Sequence, residues 1–393
     1  KVKVVEKKSD QALFTGIDDG EEETVIDLSM KPGMMDGWFG NLMAGGGHDV
    51  PGAGSDMNDF RYQGAGMVGR FTDDSQISII LNGNNTNNRG FNDMAGSMMQ
   101  GMRGGGGMGM GMGGWGRGNG IATSWMGGLN GAFDLYDGDM ELAGNYMHSG
   151  NVRDVIEETS RIESVNDDTR LFYDNNGVST TRSLGHRFGM RLEHKFSENT
   201  SILFEPQFNF GKGSYSEFSE FRTDTEIGEV RDSTNHGYNS NVGDNDNWSA
   251  SGFLLFRQRL GKPGRTISAN VRFNFRNNEM DGLNQSLTSV KDVETKKWSD
   301  EIINQRFDQK SNNSSLNGRV VYTEPLTKYL FLEANYSYNW SRNTSYKNTY
   351  NSGDNLMTDG FLDYIENGET PDPRYSNEIL NRSITQRAGL NFS

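Results

Sequence analysis

The feature that most constrains the fold is an alternation of apolar and polar residues with a period of two. In residues 202–210, one set of alternate side chains is apolar and comprises Ile202, Phe204, Pro206, Phe208 and Phe210. The intervening set is mainly polar and comprises Leu203, Glu205, Gln207 and Asn209. Residues 267–276 and 330–340 repeat the pattern. Because successive side chains of a β-strand point to opposite faces, the alternation predicts strands with one apolar and one polar face.

The length of these runs favours a membrane barrel over a soluble sheet. Each run lasts about 9–11 residues, the length with which a tilted strand crosses a bilayer. The polar sets carry Arg, Glu and Asn, and aromatic residues lie near strand ends at Trp340, Phe196 and Tyr136. A polar interior with aromatic girdles is typical of outer-membrane barrels. We therefore predict an all-β fold, a transmembrane antiparallel up-and-down β-barrel in the bacterial outer membrane.

The composition agrees with this prediction. Only 33% of the residues are hydrophobic and the mean hydropathy is -0.73, values that also occur in disordered chains. An aromatic content of 11% argues against disorder, whereas a barrel needs an apolar side chain only at every second position. No apolar run approaches the roughly 20 residues of a transmembrane helix. The acidic balance, 53 Asp and Glu against 38 Lys and Arg, disfavours a nucleic-acid partner.

The connections predict the topology. Short links lie at residues 71–75, 136–139, 197–200, 261–264 and 323–328. They alternate with long polar segments at about 85–120, 150–180, 211–246, 277–312 and 341–381. Outer-membrane barrels have short periplasmic turns and longer extracellular loops. We predict about twelve strands between Trp38 and Phe392, joined by such turns and long extracellular loops.

Residues 14–47 and 61–93 resemble the plug-to-barrel junction of TonB-dependent receptors of the Bacteroidetes type. The match is strongest around FTDDSQ and NNTNNRGF, and it covers roughly residues 14–95. The resemblance implies a barrel of about 22 strands filled by an N-terminal plug, with substrate bound between plug and loops. It assigns residues 1–33 to the end of the plug and the junction, and residues 34–393 to the N-terminal portion of the barrel.

The chain departs from that family in lacking most of the plug and about ten strands. We expect a fragment of a larger barrel rather than a small twelve-stranded relative. An open sheet of lipid-facing strands would leave unpaired backbone groups in hydrocarbon.

A methionine-rich segment is the most unusual part of the sequence. The candidate ligand-binding residues there are Met98, Met99, Met102, Met108, Met110, Met112 and Trp115. Thioethers are soft ligands that favour Cu(I), so an external loop of this composition would capture copper. The alternative, which we favour, is that flexible methionines pack against a plug, a neighbouring loop or a lipoprotein. Competition for Cu(I) with a chelator separates the two interpretations.

Charged residues on the predicted inward faces are candidates for lining the lumen. They are Arg187, Arg191, Glu193, Glu205, Arg272, Arg276 and Glu333. One interpretation is a polar path for a hydrophilic substrate. The other, which we favour, is pairing among themselves and with the plug, because an enclosed charge needs a partner.

Catalytic and metal sites find no support in the sequence. The histidines form no HExxH motif, and no GxSxG motif occurs. His186 and His194 are in phase with Phe188 and Leu192, which predicts that they mark the two ends of a lipid-facing strand. The acidic residues at 18–23, and Asp244 and Asp246, fit solvated loops better than a Ca²⁺ site. We expect no enzyme, no cofactor and no metal.

The sequence therefore predicts a TonB-dependent outer-membrane transporter for a scarce nutrient, such as a metal chelate, an oligosaccharide or a peptide. The alternative is a structural or assembly barrel that anchors surface lipoproteins or secretion machinery without transport. The expected partners are outer-membrane lipids, the TonB-ExbB-ExbD complex for a full receptor, and a surface lipoprotein.

Overall fold

The computed structural model describes residues 36–49, 60–86, 120–292, 295–327 and 330–392, and the backbone of residues 2–8 and 22–28. Within these ranges the regular structure is β-strand apart from a single 3-10 turn, Tyr136–Gly138. The strands are β1 Val2–Lys8, β2 Glu22–Leu28, β3 Gly37–His48, β4 Phe60–Phe71, β5 Ser75–Asn84, β6 Ile121–Leu135, β7 Met140–Asn166, β8 Thr169–Ser197, β9 Thr200–Ile227, β10 Val230–Arg259, β11 Thr266–Lys291, β12 Trp298–Pro325, β13 Phe331–Asn351, β14 Met357–Thr358, β15 Phe361–Leu362, β16 Thr370–Pro371 and β17 Asn377–Phe392. No helix in these ranges is long and apolar enough to span a membrane.

One large antiparallel sheet contains most of these strands. Its order is β16-β13-β12-β11-β10-β9-β8-β7-β6-β5-β4-β3, and β17 also pairs with β13. Twelve of its strands, β3 to β13 and β17, are long and follow one another up and down. Strands β1 and β2 form a two-stranded sheet of their own, as do β14 and β15. The predicted all-β, antiparallel up-and-down fold with about twelve strands between Trp38 and Phe392 is confirmed.

The five predicted short turns are also confirmed. They join β4 to β5, β6 to β7, β8 to β9, β10 to β11 and β12 to β13. In the β10–β11 turn, Gly264 has a φ of +82°, a left-handed conformation that glycine adopts without a Cβ clash. We call this end of the sheet the turn end and the opposite end the distal end.

The prediction of long loops is wrong for residues 150–180, 211–246 and 277–312, which lie almost wholly in strands. The links there are short, comprising 167–168, 228–229 and 292–297. As a result β7 to β12 are 26–30 residues long, about 85–100 Å at the rise of an extended chain. Asp244 and Asp246, predicted in a loop, lie inside β10 opposite Asp281 and Glu279 of β11.

Cross-strand register aligns the alternating sets into two continuous faces. Phe204 lies opposite Leu254, and Leu254 lies opposite Val271. On the other side of the same strands, Leu203 lies opposite Leu255, and Leu255 opposite Asn270. In the turn-end half of the sheet, one face is therefore apolar and the other mainly polar. We call them the apolar face and the polar face, and keep the names along the full length of each strand.

The polar face is the enclosed one. Ser78 and Leu203, on that face, are each 1% exposed, whereas Ile79 and Leu81, on the apolar face, are 40% and 60% exposed. The sheet therefore curves with its polar face on the concave side. Large apolar side chains thus stay exposed on the other face, unlike in soluble proteins, where they fill the enclosed side. The enclosed face also holds an apolar cluster on β4 to β7, comprising Ala65, Met67, Ile80, Met126 and Met147.

Candidate functional site on the polar face

The turn-end part of the polar face carries a cluster of four paired charges. Arg257 of β10 donates from Nη2 to Glu193 of β8 at 2.7 Å and from Nε to the Ser201 hydroxyl at 2.9 Å. Arg191 donates to the same Glu193 at 3.0 Å and also to Glu205 of β9. Because Arg257 is only 6% exposed, these contacts provide the partners that an enclosed charge requires. The cluster joins three strands and has no net charge.

Arg187 lies next to this cluster on the distal side. Its guanidinium is 2.7 and 3.0 Å from the Gln207 side-chain oxygen when the amide is oriented with that oxygen toward the arginine. Arg187 also lies opposite Asn209 and Met147 in the register. Toward the distal end, the contacts on the polar face thus change from ion pairs to hydrogen bonds with side-chain amides.

Further across the sheet, the polar face presents exposed cations among amides. Arg272 and Arg276 of β11 are both exposed. The Arg272 guanidinium lies 4.9 Å from the centre of the Phe253 ring, an arrangement that holds it by a cation–π contact. Asn317 lies opposite Arg272, and Asn313 opposite Arg276. These groups offer hydrogen-bond donors to an anionic or hydroxylated ligand.

Glu333 of β13 lies on the same face, five strands from β8. It is 3.6 Å from Arg319 of β12, and Asn335 and Asn391 each donate to it at 3.4 Å. All seven residues predicted to line a lumen therefore lie on the polar face. The structure brings Arg191, Glu193 and Glu205 into contact and places the others apart from them.

At the distal end, residues 352–376, which we call the strap, connect β13 to β17 and lie on the sheet. The Tyr238 hydroxyl accepts a hydrogen bond from the Leu362 N–H at 2.7 Å. Gln285 donates from one side-chain nitrogen to the Leu362 carbonyl and to Asn304, both at 3.0 Å. Asn304 donates to the Asp363 carbonyl at 2.9 Å. These side chains thus pair with backbone N–H and C=O groups of the strap, as the backbone of a neighbouring strand would.

Ring contacts hold the same part of the strap. Phe361 packs edge-on against Phe218 and Tyr238, with ring centres 5.5 and 5.2 Å apart. Tyr238 is 6% exposed. These three rings lie on the apolar-face side of the strands. In the distal half the strap therefore covers apolar side chains on this side, whereas in the turn-end half such side chains stay uncovered.

Charged groups hold the other end of the strap. Asp372 is 2% exposed and accepts hydrogen bonds from Arg374 at 2.8 Å, Gln305 at 3.2 Å and Asn351 at 3.3 Å. The bond from Arg374, aided by the others against the cost of desolvation, lowers the pKa of Asp372 to about 2. The strap therefore keeps this carboxylate ionised well below neutral pH.

A second charged contact lies nearby. Glu369 accepts hydrogen bonds from Arg306 at 2.8 Å and from the Tyr364 hydroxyl at 2.7 Å, and chiefly the Arg306 bond lowers the pKa of Glu369. Burial, together with the bond to Glu369, raises the pKa of Tyr364 to about 12.

The sequence-based reasoning missed the strap, although one signal was available. FLDYI at 361–365 is the apolar cluster in the otherwise polar segment 352–376. It marks the residues that reach Tyr238. Its partners, Tyr238, Gln285 and Asn304, carry no signal of their own, because the alternation of apolar and polar residues is lost in the stretches around them.

No family model matches this chain, and no curated protein matches it either. Among solved structures, one titled "Copper transporter OprC" matches with a TM-score of 0.20 and 9% sequence identity. The alignment covers 94% of this chain and 74% of that chain. With so low a TM-score, the match says nothing about the ligand of this chain.

The histidines lie away from the charge cluster. His186 and His194 are on the apolar face with Phe188 and Leu192, as predicted from their phase. His148 lies opposite His186, with ring centres 4.5 Å apart, and the Tyr146 hydroxyl is 2.8 Å from His186 Nδ1. Among the residues that the structure describes, no three His, Asp or Glu side chains are grouped so as to hold a metal ion.

The methionine-rich segment, with Met98 to Met112 and Trp115, lies outside the described residues. So do the acidic residues at 18–21, whereas Glu22 and Glu23 lie in β2, opposite Lys8 and Lys7 in the register. Both interpretations of the methionines, copper capture and packing, therefore stay as predictions.

Proposed function

We propose that this chain forms part of the wall of an outer-membrane transporter barrel, with lipid against the apolar face and a hydrophilic interior along the polar face. The observation that supports this most strongly is the reversed exposure of the two faces. Exposing large apolar side chains such as Leu81 and Leu129 to water costs about 1.5–3 kcal/mol each relative to burial. Repeated over twelve strands, that cost is removed if the surrounding solvent is hydrocarbon.

The height of the apolar face supports the same proposal. On β8, the apolar-face set runs from Phe196 to Leu184, with Leu192, Met190 and Phe188 between the two histidines. Twelve steps of an extended chain cover about 40 Å, and a tilt of about 35–45° reduces this to a height of roughly 30 Å, which covers the apolar band of about 25 Å and its borders in outer-membrane barrels. Aromatic residues lie at the distal border, where Trp248 is opposite Phe210, as expected for an interfacial girdle.

The polar face supports transport of a hydrophilic nutrient through such a barrel. The paired cluster around Glu193 forms a rigid, neutral part of the wall, while Arg272 and Arg276 remain exposed among amides. We propose that the exposed groups contact a metal chelate, an oligosaccharide or a peptide during its passage. The chain then binds and guides its ligand and makes or breaks no covalent bond.

Energy-driven uptake is inferred from the resemblance of residues 14–95 to TonB-dependent receptors. A plug moved by the TonB-ExbB-ExbD complex would open the interior to the ligand. Uptake would then require the proton-motive force across the inner membrane.

A second candidate function is a barrel that anchors a surface lipoprotein or secretion machinery. It is favoured by the distal halves of β7 to β12, which extend far beyond the apolar band and no longer alternate between an apolar and a polar face. Such an extended sheet offers a large surface to a protein partner.

Growth of a deletion strain separates the two functions. The strain is complemented with the native protein, with Arg272→Gln/Arg276→Gln, or with the control Lys212→Gln, whose residue lies on the apolar-face side. Each is grown with one limiting nutrient at a time: an iron chelate, a copper salt, an oligosaccharide or a peptide. Transport predicts a defect on one nutrient that the native protein and the control restore, that the double variant restores poorly, and that a protonophore reproduces. Normal growth on every nutrient, with a stoichiometric lipoprotein in the purified protein, contradicts transport and supports anchoring.

A further inference from the structure

Two arginines face each other at the distal border of the apolar face. Arg342 of β13 lies directly opposite Arg382 of β17. They come directly after Trp340 and Ile384 on this face, and Leu380 lies one position further along the same face of β17. Both arginine side chains are exposed.

This arrangement costs free energy unless an anion offsets it. Like charges directly opposite each other destabilise an antiparallel pair. Among the described residues, neither Arg342 nor Arg382 has a carboxylate within salt-bridge distance. The nearest acid on this face of β17 is Glu378, which lies opposite Tyr346 and four residues from Arg382.

Another basic residue at the same border is paired with an acid. Lys212 of β9 follows Phe210 and lies directly opposite Asp246 of β10, with 3.4 Å between the charged groups. Among the described residues, the arginine pair has no such acid, so an anion from outside would offset the repulsion.

We propose that Arg342 and Arg382 bind the phosphate-bearing headgroup of a lipid in the outer leaflet. Side chains opposite each other on antiparallel strands have Cβ atoms about 5 Å apart, which lets two guanidinium groups converge on one phosphate. Planar guanidinium groups match phosphate oxygens in a bidentate manner. The acyl chains would lie along the apolar face beside Trp340 and Ile384, whose position at the border suits an interface. This inference rests on the membrane placement proposed above.

Lipid retention tests the proposal. The full chain is reconstituted into phosphatidylcholine vesicles with and without a minor fraction of phosphatidic acid, and native mass spectrometry then counts the lipids that remain bound. We expect the native protein to retain phosphatidic acid roughly tenfold more than Arg342→Gln/Arg382→Gln. The control Arg276→Gln, on the polar face at the same level, should retain it like the native protein. Equal retention by the double variant overturns the proposal. Equal displacement by inorganic phosphate overturns the lipid as the source of the anion.

A second, independent test compares the unfolding temperatures of the native protein and Arg382→Gln, whose order should reverse between the two kinds of vesicle. In vesicles of phosphatidylcholine alone, Arg382→Gln removes the repulsion and should unfold at the same or a higher temperature than the native protein. With phosphatidic acid present, the native protein should become the more stable of the two. The same ranking in both vesicles contradicts the proposal while leaving the barrel wall intact. Failure of the native protein to enter either vesicle instead contradicts the membrane placement itself.

Discussion

The two halves of a single strand, β9, differ more than most pairs of separate strands. From Thr200 to Phe210, apolar and polar side chains alternate, and the polar side is enclosed. From Gly211 to Ile227, both sides carry Ser, Glu, Arg and Thr, and the period of two in hydrophobicity disappears. The backbone ladder to β8 and β10 continues through both halves. The backbone hydrogen bonds of the sheet are thus the same in both halves, whereas the pattern of side chains differs with their surroundings.

Each half needs its own source of stability. In the turn-end half, the proposed placement in lipid removes the apolar face from water, and ion pairs satisfy the enclosed charges. In the distal half, the strap supplies the core, with Phe361 against Tyr238 and hydrogen bonds to the strap backbone.

A charge placed on the apolar face should have the largest effect. Leu129 lies at the middle of the apolar band on β6 and is 50% exposed; Val178, in the distal half of β8, is 51% exposed. We expect Leu129→Arg to lower the free energy of unfolding in phospholipid vesicles by about 2–4 kcal/mol. Val178→Arg, which would stay in water, should change it by less than about 0.5 kcal/mol. Equal effects in denaturant titrations would contradict the division into two solvents.

Breaking the enclosed charge cluster should come next. Arg257→Gln leaves Glu193 with Arg191 as its remaining partner and should lower the free energy of unfolding by about 2 kcal/mol, below the usual range because Glu193 keeps some contact with solvent. The matched variant Arg276→Gln, on the exposed part of the same face, should have almost no effect. A larger loss for Arg276→Gln would show that the polar face is enclosed elsewhere than described.

The Tyr238 hydroxyl is one of the groups that dock the strap on the distal half. Tyr238→Phe removes the acceptor for the Leu362 N–H while preserving the ring, and should weaken strap docking by about 1–2 kcal/mol. Proteolysis within 352–376 should then accelerate, with no change in the turn-end half. Tyr375→Phe, an exposed tyrosine of the strap, is the control and should be cut at the native rate.

Acid should release the strap without affecting the turn-end half. The pKa of Asp372 in the folded state, about 2, is below its unfolded value. Its contribution is therefore fully present above about pH 4 and is lost as the pH falls through about 2. The opposite sign holds for Tyr364, whose pKa is raised to about 12, so its contribution is lost as the pH rises through that value.

A spin label at Glu366, in a chain that contains no cysteine, would report strap mobility. We expect it to stay immobile from about pH 4 to 10, and to become mobile near pH 2. In Asp372→Asn the acid transition should become smaller, because Glu369, whose pKa is also lowered, would be the remaining carboxylate that holds the strap. A transition near pH 6 would point to a histidine instead.

The exposed ion pair at the border between the halves should matter least. Lys212 and Asp246 are 78% and 61% exposed, so water screens their attraction. We expect Lys212→Gln to change the free energy of unfolding by less than about 0.5 kcal/mol. A loss above 1 kcal/mol would show that this border is drier than the structure indicates.

The contrast between the halves also explains what the sequence could predict. In the turn-end half, apolar and polar side chains alternate, so residues 186–194 and 202–210 revealed the strands and the faces of Arg191 and Glu205. In the distal half this alternation is lost, so residues 211–227 were predicted to be a loop although they continue β9. The charge pairs of Arg257 and the docking of Phe361 on Tyr238 join residues far apart in sequence, and no local pattern encodes them.

The most direct test of the two solvents is a scan of nitroxide labels along β13 in vesicles, made possible by the absence of cysteine. Single cysteines replace each residue from Leu332 to Tyr350, and collisions with oxygen and with a water-soluble nickel chelate are measured. The account predicts alternation from 332 to 340, with oxygen favoured at Tyr336 and the nickel chelate at Asn335, and nickel access without alternation beyond Arg342. Uniform nickel access along the whole strand, or oxygen favoured at Asn335, would contradict it.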